Sequence, residues 1–150
     1  MRKIETQVVI EAAPEQVWAV LTDFARFGEW NPFIREAEGE VRVGARLRLK
    51  MFPANGKPMV FKPRVLVAEP GVELRWIGRL FVRGIFDGEH YFRLVEIPGA
   101  DGPHTRVEHG ELFGGLLVRA LGKMLDGTNG DFEALNQALR RRVLEPHAAR

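Results

Sequence analysis

Residues 3–34 read KIETQVVIEAAPEQVWAVLTDFARFGEWNPFI, and the change of period inside this stretch decides the fold. From Lys3 to Glu11 the side chains alternate. Ile4, Val8 and Ile10 share one face with Thr6, while Lys3, Glu5, Gln7 and Glu11 dominate the other. A period of two marks a half-buried strand. Pro14 follows, at a place where a first helical turn tolerates it, because the N–H it lacks would have no partner there. Val17, Trp18, Val20, Leu21 and Phe24 then recur at helical spacing. Gly28 and the Asn31-Pro32 step break the helix, since a residue before proline avoids the helical region. The stretch predicts one strand followed by two short helices.

Downstream of Phe33 the period stays near two. Ile34 to Glu40 reads as a strand. Ala45 to Phe52 sets Leu47, Leu49 and Met51 against Arg46, Arg48 and Lys50. Pro53 to Gly56 is a turn. Met59 to Ala68 alternates again, and Pro63 inside it predicts an edge or a bulge. Val72 to Gly78, Phe86 to Ile97 and Thr105 to Phe113 complete the series, with Pro98 to Pro103 read as a loop. The expected β-structure is one strand, the helices, then about six antiparallel strands in a meander. In the tail Leu117, Leu121, Met124, Thr128, Phe132, Leu135, Leu139 and Val143 step by three or four. This predicts an amphipathic helix of roughly 28 residues, or two in line, with a bend near Gly127. Gly122, Gly127 and Gly130 each cost about 1 kcal/mol in a helix interior, so tertiary support is required.

Composition narrows the chemistry. The 150 residues suit one domain spanning 1–150. The chain has no cysteine, which removes disulfides, thiol nucleophiles and thiolate zinc sites, and fits a reducing, cytoplasmic setting. It has no serine either, which removes a Ser-His-acid triad. Lys and Arg total 22 against 20 Asp and Glu, a net charge of +2. Such a balance gives little field to collect nucleic acid. No window approaches 18 consecutive apolar residues, so no integral membrane association is expected, and Met1 to Ile10 lacks the apolar core of a signal peptide. Gly114-Gly115 lacks the lysine of a phosphate-binding loop and reads as a strand end. Arg46, Arg48 and Lys50 read as a solvated outer face. Ten Phe and three Trp stand beside a single Tyr: aromatic bulk is plentiful and aromatic hydroxyls are scarce.

The order of elements, and the residues within them, resemble a known superfamily. The pieces are Ile10-Glu11-Ala12-Ala13-Pro14-Glu15-Gln16-Val17-Trp18, Leu21-Thr22-Asp23-Phe24 and Gly28-Glu29-Trp30-Asn31-Pro32-Phe33. Further pieces are Pro70-Gly71 before Glu73-Leu74-Arg75-Trp76, then Phe86-Asp87-Gly88-Glu89-His90, the run Val107 to Gly115, and Gly130 to Asn136. Together they resemble the START-like polyketide cyclase/dehydrase and lipid transport superfamily (SRPBCC) across nearly the whole chain. The resemblance implies an α+β helix-grip fold. A curved antiparallel sheet of about seven strands wraps a long C-terminal helix, with two short helices after the first strand and a cavity between sheet and helix. Superfamily members bind lipids, sterols, polyketides and plant hormones, and some close rings, so the resemblance points to a ligand class rather than to one reaction.

Alternation places the candidate site residues. Val107, His109, Glu111 and Phe113 share a face, as do Phe86, Gly88, His90, Phe92 and Leu94, and Leu74, Trp76 and Gly78. The apolar members of each set turn these faces inward. His90, His109 and Glu111 are then a polar cluster in an apolar interior, where an ionisable group costs free energy unless paired. They orient a ligand's carbonyl or hydroxyl, act as general acid and base on an enolisable substrate, or simply satisfy one another. They are the candidates for catalysis, and none is assigned that role. Two His and one Glu could also hold a metal, but no HExxH-like spacing supports one, and no cofactor is called for. The candidate ligand-binding residues are Trp30, Phe33, Phe61, Trp76, Phe86, His90, Phe92, His109, Glu111, Phe113, Leu121, Met124 and Phe132. Trp30 and Phe33 flank the Asn31-Pro32 break, where a loop gates the opening.

The leading expectation is a protein that binds a small hydrophobic molecule, lipid-like, polyketide-like or aromatic. Apolar burial supplies affinity at about 25 cal/mol per Å². A cofactor-independent cyclase, dehydratase or isomerase using the His/Glu cluster is the second reading. A protein-interaction or assembly module with a filled cavity, for instance a homodimer through a sheet edge, is the third.

Overall fold

In the computed structural model, which describes residues 1–80, 84–120 and 122–146 apart from the side chains of Leu80 and Met124, eight strands and three α-helices are laid out around one apolar cluster. Strand β1 (Arg2–Ile10) leads into helix α1 (Pro14–Leu21), a 3-10 turn at Phe24–Arg26 and the single-turn helix α2 (Phe27–Trp30). Pro14 starts α1, and the Gln16 side chain accepts from the Ala13 backbone N–H at 2.9 Å, which satisfies one orphan donor of the helix start. Buried Asn31 ends α2. Its Oδ1 accepts from the N–H groups of Phe33 at 3.0 Å and Ile34 at 2.8 Å, turning the chain around Pro32 and aiming Phe33 inward.

Strands β2 (Ile34–Glu38), β3 (Arg48–Met51) and β4 (Met59–Phe61) form a three-stranded sheet. Strands β5 (Arg64–Glu69), β6 (Glu73–Leu80), β7 (Phe86–Gly99) and β8 (Gly102–Gly114) join β1 in a five-stranded sheet ordered β1-β8-β7-β6-β5. All pairings are antiparallel. The run expected from Met59 to Ala68 is therefore two strands. Pro63 has no N–H to give to a ladder and sits between them, and a bulge between Val65 and Val67 bends β5 further. The two sheets stay linked there: Leu47 N–H donates to Pro63 O at 2.8 Å and Val65 N–H to Ala45 O at 2.9 Å. The result is one curved antiparallel surface.

Three sequence expectations change. The strand count is eight rather than about seven, because Pro63 divides one run. The Pro98–Pro103 segment is not a loop. Pro98 pairs with Pro103 and Gly99 with Gly102, so the hairpin turns only at Ala100 and Asp101. The positive φ of Gly102, 129°, permits so tight a return. The C-terminal helix is also shorter than the roughly 28 residues that its periodicity suggested. Helix α3 runs Thr128–Leu144, 17 residues, after a 3-10 turn at Gly122–Leu125. Gly127 is its N-cap, so the periodic stretch divides there. Phe132, Leu135, Leu139 and Val143 are its buried stripe, laid across β1 and α1. Among the described residues no helix is long and apolar enough to cross a membrane.

The basic stripe is paired on the outside. Arg48 and Lys50 lie 3.4 and 3.7 Å from the Glu36 carboxylate, and Arg46 donates to Lys62 O. Tyr91, the single tyrosine, is buried, but on the face of β7 opposite His90 and Phe92 and outside the apolar cluster. Its hydroxyl donates to Glu5, and its ring lies between the guanidinium groups of Arg75 and Arg93.

Candidate functional site

A cavity of about 240 Å³ lies between the curved sheet and the N-terminal end of α3. Its inner wall is apolar: Phe33, Met51, Met59, Phe61, Trp76, Phe86, Phe113 and Leu125. Its rim is not. Asn55, Lys57, Thr128 and Asp131 stand there, on the β3–β4 loop and the first turn of α3. The loop is tied to the helix, because Ala54 N–H donates to both Asp131 carboxylate oxygens, at 3.1 and 3.4 Å. Asn55 also presses on Gly127, where a Cβ would meet its amide nitrogen at 2.4 Å.

Among the described residues one polar side chain enters the inner wall, Glu111 of β8. Antiparallel register sets it directly opposite His90 of β7, and sets His109 opposite Phe92. Gly88, two residues before His90, leaves the space that the carboxyl uses. A Cβ on Gly88 would fall 2.2 Å from Glu111 Oε2. Behind Glu111 a line of hydrogen bonds runs through the core. Glu111 Oε1 lies 3.1 Å from His90 Nδ1, and His90 Nε2 lies 2.8 Å from His109 Nε2. His109 Nδ1 lies 2.7 Å from Asn136 Oδ1, and Asn136 Nδ2 donates to Thr6 Oγ1 at 2.8 Å. Thr6 Oγ1 donates to the His109 carbonyl at 2.9 Å.

The far end of this line settles the direction of the bonds as far as His109, and burial settles the rest. A carbonyl only accepts, so the Thr6 hydroxyl proton is committed to His109 O, and Thr6 Oγ1 must accept from the Asn136 amide nitrogen. Asn136 therefore offers its oxygen to His109, and His109 Nδ1 carries a proton. The His109 ring is stacked between Phe92, centroids 4.2 Å apart, and Phe132, 4.1 Å apart. Burial, then the neighbouring His90, pushes its pKa well below the usual histidine value, so the ring is neutral. Neutral His109 must accept at Nε2, so His90 donates from its Nε2. Burial lowers His90 to about 3, and its Nδ1 then holds a lone pair that needs a donor. Among the described residues only Glu111 is placed to supply one. Burial raises the Glu111 pKa to about 8, in keeping with a protonated carboxyl whose O–H is given to His90.

Ten of the thirteen sequence-selected residues separate into two groups. Phe33, Phe61, Trp76, Phe86, Glu111 and Phe113 line the cavity. His90, His109, Phe92 and Phe132 lie behind the wall, almost wholly buried, and reach the cavity only through Glu111 or the Trp76 ring that stacks on His90 at 4.9 Å. Trp30 does not line it. Half-buried on α2, it packs edge-on against Phe27 at 5.3 Å, because the Asn31 turn sends only Phe33 inward. Leu121 and the side chain of Met124 lie outside the described residues. Sequence reasoning missed Asn136 and the significance of Thr6. The signal was a polar residue interrupting an apolar face: Asn136 beside Phe132, Leu135 and Leu139, and Thr6 between Ile4 and Val8. It also missed the polar rim, which a turn and a helix start far apart in sequence build together. Among the described residues no group of three metal-ligating side chains converges on one point. The two imidazoles spend their facing nitrogens on each other.

Comparison with known proteins follows the same architecture. A search of curated protein sequences finds no significant match. Among solved structures, the Zhui aromatase/cyclase from Streptomyces sp. R1128 superposes with a TM-score of 0.73 at 18% identity, over 95% of this chain and 93% of that one. A protein from Thermus thermophilus superposes at 0.70 with 21% identity, over 95% and 97%. A START superfamily protein from Mycobacterium smegmatis superposes at 0.67 with 22% identity, over 94% and 96%. At such identities the likeness is one of fold. A family profile described as polyketide cyclase / dehydrase and lipid transport matches residues 1–144, and the chain therefore belongs to that family.

Proposed function

We propose that the protein binds a small hydrophobic molecule, lipid-like, polyketide-like or aromatic, in the cavity between its sheet and α3. The observation that carries this reading is an apolar cavity of about 240 Å³ whose inner wall, among the described residues, holds a single ionisable side chain, Glu111. Apolar walls supply affinity, and one fixed polar group supplies orientation. The rim latch from Ala54 to Asp131 fits a gate for entry. An open cavity disfavours the assembly-module reading, which needs a filled one. The lack of cysteine favours a reducing, cytoplasmic setting.

A cofactor-independent cyclase, dehydratase or isomerase is the second reading, favoured by the Glu111–His90–His109 line. Glu111 touches the cavity and would act first as the base, its Oε2 accepting a substrate proton while its Oε1 proton passes to His90, and both moves reverse when the substrate is reprotonated. On that reading Glu111→Gln removes turnover of an enolisable aromatic ketone while leaving its affinity in place. Ligand binding itself is tested by organic extraction of purified protein with mass spectrometry, and by uptake of fluorescent aromatics and fatty acids. A protein that carries nothing and takes up neither class overturns it.

A further inference from the structure

The hydrogen-bond line has a consequence for what the cavity accepts. Glu111 Oε1 is committed to His90, whichever of the two holds the proton. Oε2 is different. It lies over Gly88, which also lines the cavity, and among the described residues no group bonds to it. Among the described residues no buried side-chain oxygen or nitrogen lacks a partner, so Oε2 is open to the cavity rather than sealed in the core. An oxygen whose carboxyl has already given its proton to His90 can only accept.

We propose that the cavity selects ligands that carry a hydroxyl, phenolic or enolic, and seats that hydroxyl as a donor to Glu111 Oε2. A ketone or ether oxygen at the same place finds a second acceptor facing it. Turning the Glu111 proton toward such a ligand would leave His90 Nδ1 unpaired in a nearly fully buried ring, at a cost comparable to the bond gained. The sequence alone left carbonyl and hydroxyl ligands open, and the direction of the hydrogen bonds chooses the hydroxyl. The inference rests on the ligand-binding reading above, and it concerns the polarity of the ligand within that reading.

The test compares 2-naphthol with 2-methoxynaphthalene, which keeps the rings and the oxygen and lacks the donor. Binding is followed by quenching of tryptophan fluorescence or by calorimetry. Wild type should hold 2-naphthol roughly fivefold more tightly, the worth of one ordinary net hydrogen bond. Glu111→Gln should keep the preference, since the amide N–H donates to His90 and the amide oxygen still faces the cavity. Glu111→Leu should erase it, with both compounds binding alike. Equal binding of the two compounds to wild type, or a preference that survives in Glu111→Leu, overturns the inference and leaves the ligand-binding reading standing. Binding of neither compound overturns the inference as well, and the ligand-binding reading is then decided by the extraction and uptake tests above. If Glu111→Leu does not fold, the wild-type comparison decides alone.

Discussion

Replacing Glu111 by Gln tests the directed hydrogen-bond line through the pH dependence of stability. Glutamine mimics the protonated acid: its N–H can donate to His90 Nδ1 and its oxygen can face the cavity. In wild type the Glu111 pKa rises from 4.5 to about 8 on folding, through burial. A raised folded pKa gives stability that is complete below the unfolded pKa and is lost as pH rises through the folded one. Between pH 6.5 and 8 the unfolded chain has released this proton and the folded chain still holds it. Each pH unit there removes about 1.4 kcal/mol, so wild type loses roughly 2 kcal/mol from this group across the window. Glu111→Gln has no such proton. The variant should gain on wild type by roughly that amount between pH 6.5 and 8. Urea melts of both proteins at half-unit pH intervals measure it, and taking the difference cancels groups common to both. A difference that stays flat from pH 6 to pH 8.5 would refute the protonated Glu111, and with it the chain of donors traced from Thr6.

The histidines act in the opposite sense. Burial lowers His90 from 6.5 to about 3, so the unfolded chain gains protons below pH 6.5 that the folded core refuses, and melts should show stability falling as pH drops below 6.5. Asn136→Leu strands the His109 Nδ1 proton and a lone pair of Thr6 in the core, and should cost about 2–4 kcal/mol in a urea titration. Gly88→Ala sets a methyl 2.2 Å from Glu111 Oε2 and must push the carboxyl off His90. A loss of about 1–3 kcal/mol is expected, together with loss of any preference for a hydroxyl ligand. Asp131→Ala frees the β3–β4 loop at an exposed hydrogen bond. Stability should change by less than about 1 kcal/mol, while stopped-flow traces show a bound fluorescent aromatic leaving faster.

How much of this is legible in the sequence depends on how local the cause is. The strand of residues 2–10, the break at Asn31-Pro32 and the inward face of His109 and Glu111 follow from alternation and proline sterics, which act over a few residues. The same alternation put His90 on an inward face of the neighbouring strand. It did not put His90 opposite Glu111. That register depends on how far the β7–β8 hairpin zips, and it zips to Gly99 and Gly102, through the segment that prolines and glycines had marked as a loop. Periodicity also overran the C-terminal helix, because a 3-10 turn and a helix can share one apolar stripe.

What the sequence by itself determined is the order of elements, the family resemblance and the apolar character of the interior, since these rest on local steric rules and residue type. Only the tertiary structure decided which polar atoms meet. Thr6, His90, His109, Glu111 and Asn136 come from three strands and a helix, and a hydrogen bond depends on tenths of an ångström and on which partner has a proton left to give. That closure turns three ionisable residues on inward faces into a directed line ending in a single acceptor at the cavity wall.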